Sequence, residues 1–160
     1  MNDIDLSYIA GLIDGEGYIG IKKSTYKSRV IKDMVNAEYH ERIQIRMVDE
    51  EAIKFIKENL GGNYYREKPH SNSPKPLFCY QASDLLAAKI LKLLYPFLRI
   101  KKKNAEVILK LRESKNNRLA YGGNRGGRRK GKGFGMPKEI VEERESLYLL
   151  AKSLNTKGKW

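Results

Sequence analysis

The run Leu6–Ile13 contains no charged residue and stops at Asp14-Gly15-Glu16-Gly17. As a helix it is apolar nearly all round, so whatever the chain folds into must cover it on almost every side. Asp3 or Asp5 is placed to cap its start. Ser7, Gly11 and Gly15 recur every four residues, leaving one face with almost no side chain, where another backbone can approach closely. Glycine inside a helix costs roughly 1 kcal/mol relative to alanine, so Gly11 predicts a partner helix packed against this face. The acids stand where the helix should end. Its carbonyl end repels negative charge, and Glu16 is poorly placed there unless a cation sits beside it. The Gly15 carbonyl and the Glu16 carboxylate offer only oxygen, the ligand type of Mg²⁺ together with water and phosphate. Two such corners side by side would form a symmetric metal site. The plainer alternative is a glycine-terminated helix running into a strand through a polar turn.

Charge narrows the partner. The formal net charge of +13 implies a polyanion, either nucleic acid or an anionic membrane. No long apolar span, signal peptide or lipidation motif supports a membrane, so none is expected. The 160 residues have room for one domain with a proper core, and a single α+β domain over 1–160 is expected. The single Cys79 excludes an internal disulfide and a cysteine-rich zinc site; in its apolar run it is expected to be a buried core thiol. The expected compartment is intracellular: cytoplasm, nucleoid or the matrix of an organelle.

After the acids, Ile19 and Ile21 alternate with Tyr18, Gly20 and Lys22, which predicts a half-buried strand. The basic stretch that follows has no acid before Asp33, and Lys22, Lys23, Lys27 and Arg29 are assigned to nucleic-acid contact over the alternative of a solvated hairpin. In the next strand Ile43, Ile45 and Met47 alternate with Arg42, Gln44 and Arg46. Arginine and glutamine pair bidentately with guanine and adenine edges, so this row is a candidate base reader; a solvated sheet face is the other explanation. Asp49 caps a helix with the stripe Ala52, Ile53, Ile56 and Leu60, ended by Gly61-Gly62. A second hairpin, Asn63 to Lys68 and Leu77 to Gln81, adds Tyr65, Arg66 and Lys68 to the contact set. Ser83-Asp84 opens a helix that Pro96 ends.

The order is αββαββα, and residues 6–47 and 49–81 look like two copies of one helix–hairpin unit. A four-stranded antiparallel sheet backed by helices on one face follows, its other face open to a ligand. A further helix buries Ala105, Ile108 and Leu109. Residues 122–135 hold seven glycines, five basic residues and no acid. Arg125, Arg128, Arg129 and Lys130 there are assigned to the phosphate backbone, the alternative being a plain linker. Residues 137–154 form a last helix, with Ile140, Val141, Leu147, Leu150 and Leu154 facing the domain.

Ile9 to Gly17 resembles the signature of the LAGLIDADG homing endonucleases, of the type with one motif per chain, and the likeness covers roughly residues 6–114. The resemblance implies that Glu16 binds the catalytic divalent metal, with Gly15 giving its backbone carbonyl. It also implies that Lys101, following Pro96-Phe97-Leu98, reaches the catalytic pocket to stabilise phosphate charge or orient water. Where relatives place glutamine and arginine just after the second strand, this chain has Met47 and Glu50 or Glu51, and Arg46 is the candidate to take over that task. One motif implies a homodimer through Ser7, Tyr8, Gly11 and Leu12, its two sheets forming a positive saddle along double-stranded DNA. The implied reaction is Mg²⁺-dependent hydrolysis of one phosphodiester on each strand of a long, partly palindromic site, leaving 3′ overhangs and serving intron homing. Mn²⁺ is expected to substitute, and Ca²⁺ to bind without supporting cleavage. The alternatives are a splicing maturase of this fold, with host intron RNA as partner, and a noncatalytic DNA-binding protein.

Overall fold

The computed structural model describes residues 1–27, 35–68, 76–117 and 138–156. Arg29, the segment with Arg125, Arg128, Arg129 and Lys130, and most of the second hairpin's turn lie outside the described residues. Helix α1 (Asp3–Glu16) is capped by Asn2 rather than by Asp3 or Asp5. Asn2 Oδ1 accepts the Asp5 N–H at 2.9 Å, and Asp5 returns a carboxylate oxygen to the Asn2 N–H at 3.4 Å. Both acids therefore lie in the first turn, where the helix dipole favours them. Strand β1 (Gly17–Lys27) follows without a linker. A Cβ at Gly17 would stand 2.7 Å from the Ile13 carbonyl oxygen, so glycine is what lets the chain leave the helix this tightly.

Next come β2 (Val35–Met47), α2 (Glu50–Leu60), β3 (Asn63–Arg66), β4 (Phe78–Ser83), α3 (Asp84–Leu94), α4 (Lys102–Asn116) and α5 (Lys138–Asn155). The antiparallel sheet runs β1-β2-β4-β3, which sets the two helix–hairpin units side by side with their second strands paired at the centre. As expected, Asp49 caps α2, accepting the Ala52 N–H at 2.9 Å, and the helix ends at Gly61. Ile19, Ile43, Ile45 and Tyr80 on one sheet face meet Ile9, Ile13, Ile53, Ile56, Leu91 and Ile108 from the helices, all fully buried. Each such aliphatic side chain contributes roughly 1.5–3 kcal/mol on leaving water. Among the described residues no helix is long and apolar enough to cross a membrane.

Two features depart from the sequence pattern. In α4 the deeply buried residues include Val107 and Leu111, while Leu109 is only half-buried. In α5, Ile140, Arg144 and Ala151 are buried, but Leu150 and Leu154 stay exposed at 47% and 37%. This helix lies against α4 and β1, with Leu147, Tyr148 and Ala151 packed on the core and polar contacts besides. Glu145 binds Lys23 Nζ at 2.7 Å and accepts from the Tyr39 hydroxyl, while the Asn155 amide donates to the Ile19 carbonyl of the edge strand at 2.9 Å.

Strand alternation also carries a charge into the core. Glu41 shares its face of β2 with Tyr39 and Ile43 and has no exposed surface. Lys115 Nζ lies 2.6 Å from its Oε2, and Arg112 Nη2 approaches Oε1 to 2.8 Å without the alignment of a hydrogen bond. Lys115 also reaches Asp84 at 3.3 Å, whose carboxylate meets His40 Nδ1 at 3.0 Å. This cluster fastens α4 and the start of α3 to β2. Removing the carboxylate leaves two largely buried cations, so Glu41→Ala is expected to lower stability by about 3–5 kcal/mol in urea unfolding. A loss under about 1 kcal/mol would show that the cluster does not hold α4.

Candidate active site and nucleic-acid interface

Residues two apart on a helix point about 200° away from each other, so Asp14 and Glu16 face opposite ways at the end of α1. Asp14 turns inward and is only 8% exposed. Its carboxylate accepts the backbone N–H groups of Arg99 at 2.7 Å, Lys101 at 2.8 Å and Ile100 at 3.2 Å. Burial pushes its carboxyl pKa up, but these donors and the Lys101 charge outweigh that and hold it below its usual 3.8. Lys101 completes the loop by donating its ammonium to the Asp14 carbonyl oxygen. Burial lowers the Lys101 pKa on balance, against the pull of Asp14 and Glu16 toward the charged form. Of the three consecutive lysines, Lys102 instead lies over the Tyr95 ring, 4.7 Å from its centroid, and Lys103 is exposed. Glu16 and Gly15 are exposed, and Glu16 makes no hydrogen bond or ion pair among the described residues. The tether made by Asp14 is not legible in residue types alone; its one signal is a second acid inside the motif that is not the terminal one.

The second surface is the sheet face away from the helices. Cross-strand pairing puts Tyr18, Gln44, Gln81 and Asn63 in one row, Gly20, Arg42 and Ser83 in the next, and Lys22 with His40 beyond. Arg46, Cys79 and Tyr65 form a row on the other side. Arg42 is held by the Gln81 side chain, and Arg46 by Glu67 at 2.8 Å. Oriented to match its neighbours, the Gln44 amide oxygen accepts from Arg46 at 3.2 Å. The planar donors are thus paired with one another and with Glu67 on this face. Cys79 is buried beneath Gln44 and Tyr65 on this face, not in the helix-side core.

Two assigned contacts are corrected. Lys23 pairs across the strand with buried Tyr39, so it points to the helical side and is taken by Glu145 of α5. Arg66 pairs with Phe78 and lies over its ring, 5.9 Å from the centroid, again away from the open face. Lys68 follows β3 and is exposed; Lys27 is the last residue of β1. Met47 is half-buried and Glu50 accepts the Tyr64 hydroxyl.

A family model described as LAGLIDADG endonuclease matches residues 9–109. The chain belongs to this family. Its fold is similar to that of the homing endonuclease I-CvuI in complex with its target in the presence of calcium, with TM-score 0.69 and 16% identity over 99% of this chain and 87% of that one. It is also similar to the archaeal intron-encoded homing endonuclease I-Vdi141I complexed with DNA, with TM-score 0.67 and 17% identity over 98% and 87%. The I-SmaMI LAGLIDADG homing endonuclease bound to cleaved DNA matches with TM-score 0.61 and 17% identity over 92% of this chain and 45% of that one. No curated protein sequence matches the chain.

The LAGLIDADG helix leaves one face uncovered. Ile4 is 79% exposed and Tyr8 48%, while Ser7, Gly11 and Gly15 continue the stripe and Leu12 is half-buried at its flank. A Cβ at Gly11 or Gly15 would meet nothing within 4 Å among the described residues. A cleft of about 520 Å³ runs beside this stripe, between Ser7, Gly11 and Asp14 and the loop 96–99.

Asp14 carries a testable sign. With its folded pKa depressed, its carboxylate stabilises the fold above pH 3.8, and that contribution is lost as pH falls below this value. Asp14→Asn is expected to cost about 1.5–3 kcal/mol at neutral pH, and the gap to the wild type to close progressively below pH 3.8. A gap constant across this range in denaturant titrations would contradict the tether.

Proposed function

We propose that the chain is a homodimeric, Mg²⁺-dependent endonuclease that cuts both strands of a long, partly palindromic DNA site, leaves 3′ overhangs and serves intron homing inside the cell. One observation carries the reading: Glu16 is exposed at the end of the motif helix, with no hydrogen bond or ion pair among the described residues, while Asp14 beside it pins Lys101 to the same corner, where the Glu16 charge acts on it.

The residues fit a metal only as half of a site. Among the described residues no three His, Cys, Asp or Glu side chains converge on a point, and one chain offers the Glu16 carboxylate with the Gly15 carbonyl. Hard oxygen donors suit Mg²⁺, which ordinarily takes its remaining ligands from water and phosphate, and here also from a second Glu16. When bound, such an ion supplies Lewis acidity to the phosphodiester and lowers the pKa of water. Glu16 would hold it, and Lys101 would place a positive charge where the phosphate gains negative charge. The ordered row of Arg42, Gln44, Arg46 and Gln81 suits base edges, and exposed Lys22 suits phosphate. The uncovered stripe of Ile4, Tyr8, Gly11 and Gly15 suits a second copy of α1.

The test is selection of cleaved duplexes from a partly palindromic random library with Mg²⁺, beside Ca²⁺ and beside Glu16→Gln. Recovery of one long site with staggered 3′ ends is expected, with cleavage reduced on the order of a hundredfold or more in the variant while binding persists. Duplexes that are retained but never cut would make the chain a DNA-binding protein or, if host-intron RNA is spliced in its presence, a maturase.

A further inference from the structure

Where β4 gives way to α3, the open face of the sheet continues on β1 and β2 alone, and its row there is Lys22 opposite His40. Strand alternation puts His40 on the same face as Arg42 and Gln44, and its side chain is 32% exposed. Charged groups reach the ring from every element beside it. From the start of α3, the two Asp84 carboxylate oxygens lie 3.0 Å and 3.3 Å from Nδ1. Glu38 of β2 approaches Nε2 to 3.6 Å. Lys22 stands opposite on β1, Arg42 is the next residue on this face of β2, and Lys115 of α4 backs Asp84 at 3.3 Å. An ionised carboxylate only accepts, so Asp84 fixes the ring hydrogen on Nδ1 and the neutral ring presents a bare Nε2. A hydrogen reaches Nε2 only with a second proton. Glu38 is too far away to take that hydrogen in a hydrogen bond, which leaves it to a ligand on the open face.

We propose that His40 is a proton-linked phosphate contact: with Nδ1 held by Asp84, the protonated ring donates Nε2–H to the DNA backbone beside Lys22. The planar donors that suit base edges lie nearer the middle of the sheet, and the pair Lys22 and His40 lies beyond them, where a backbone leaving those bases passes. Histidine is the side chain that ordinarily changes charge between pH 5 and 8. A bound phosphate favours the charged ring, so binding takes up a proton from solvent and affinity falls as pH rises. Each phosphate neutralised also releases counterions and steepens the fall of log affinity with log salt by about 0.9. The charged ring adds that increment and the neutral ring does not. A histidine that only held Asp84 in place would leave the salt slope unchanged. The inference rests on the DNA-binding part of the reading above.

The experiment measures binding of the duplex recovered by the selection, whether cut or only retained, at fixed Ca²⁺ over a KCl series at pH 6 and pH 8. It compares wild type, His40→Gln and His70→Gln, with thermal unfolding of each. Glutamine keeps an N–H for Asp84 but takes no proton. At pH 6 the wild type is expected to bind about fivefold more tightly than His40→Gln, with a salt slope steeper by about 0.9, and at pH 8 the two should coincide. His70→Gln, which changes the chain's other histidine, should follow the wild type at both pH values, and all three should unfold at the same temperature at pH 8. Equal salt slopes for wild type and His40→Gln at pH 6, a difference that persists at pH 8, or loss of the pH effect in His70→Gln would overturn the assignment and leave the endonuclease reading standing. The measurement needs only retained duplex, so a failure to cut would overturn the endonuclease reading and not this one. A wild-type chain that binds no duplex would overturn both.

Discussion

The Asp14 carboxylate joins the two parts of the chain on which the proposed chemistry depends. The motif helix carries Glu16, and the loop into α4 carries Lys101, some eighty-odd residues later in sequence. A single carboxylate taking three backbone N–H groups brings them to one corner. Charge-assisted bonds of this kind are shorter and stronger than neutral ones, and three of them fix a backbone segment as well as a position. The Lys101 ammonium then turns back on the carbonyl end of α1 and offsets the negative pole of the helix there. Glu16 is left outside this network. The two acids of the motif thus divide into an inward structural anchor and an outward exposed group, because a helix sends neighbours two apart to opposite sides.

The same partition by backbone geometry sorts the basic residues. Net charge predicts a polyanion but not which cations face it. Strand alternation sends Lys22 to the open face and Lys23 to the helical side, where Glu145 neutralises it and α5 gains an anchor on β1. Pairing then brings Arg42 and Gln81 together, and Arg46 with Gln44 and Glu67. An interface assembled this way loses little side-chain entropy on binding. Glu41 plays the opposite part, holding α4 to the strand whose far face carries these donors.

Much of this was legible in the sequence, and the misses have physical causes. Apolar periodicity and glycine or proline stops placed the αββαββα order, because each element has a regular stripe and a clear end. The acid at Glu16 and the lysine at Lys101 came from the motif and its resemblance, not from spacing. Asp14 was invisible as a tether because its partners are backbone N–H groups, which carry no residue identity. Glu41 interrupts an apolar face, and its compensating cations lie seventy or so residues away in α4. Charge alone places Lys23 and Arg66 among the DNA contacts, but it does not say which side of a strand a residue occupies. Leu150 and Leu154 stay exposed while Leu147, Tyr148 and Ala151 pack on the core, and Glu145, Arg144 and Asn155 add polar anchors that a hydrophobic stripe does not reveal.

The central claim is that one chain carries half of an active site and that the bare stripe of α1 joins two halves. The most direct measurement is the mass of the protein alone and on its selected duplex, by sedimentation, for wild type and Gly11→Gln. A side chain at Gly11 has open space among the described residues of its own chain, so the variant should remain folded. Two wild-type chains per duplex with double-strand cleavage are expected, and folded Gly11→Gln monomers that cut neither strand. Gly11→Gln dimers that cleave normally, or a wild-type monomer that cuts both strands, would contradict it.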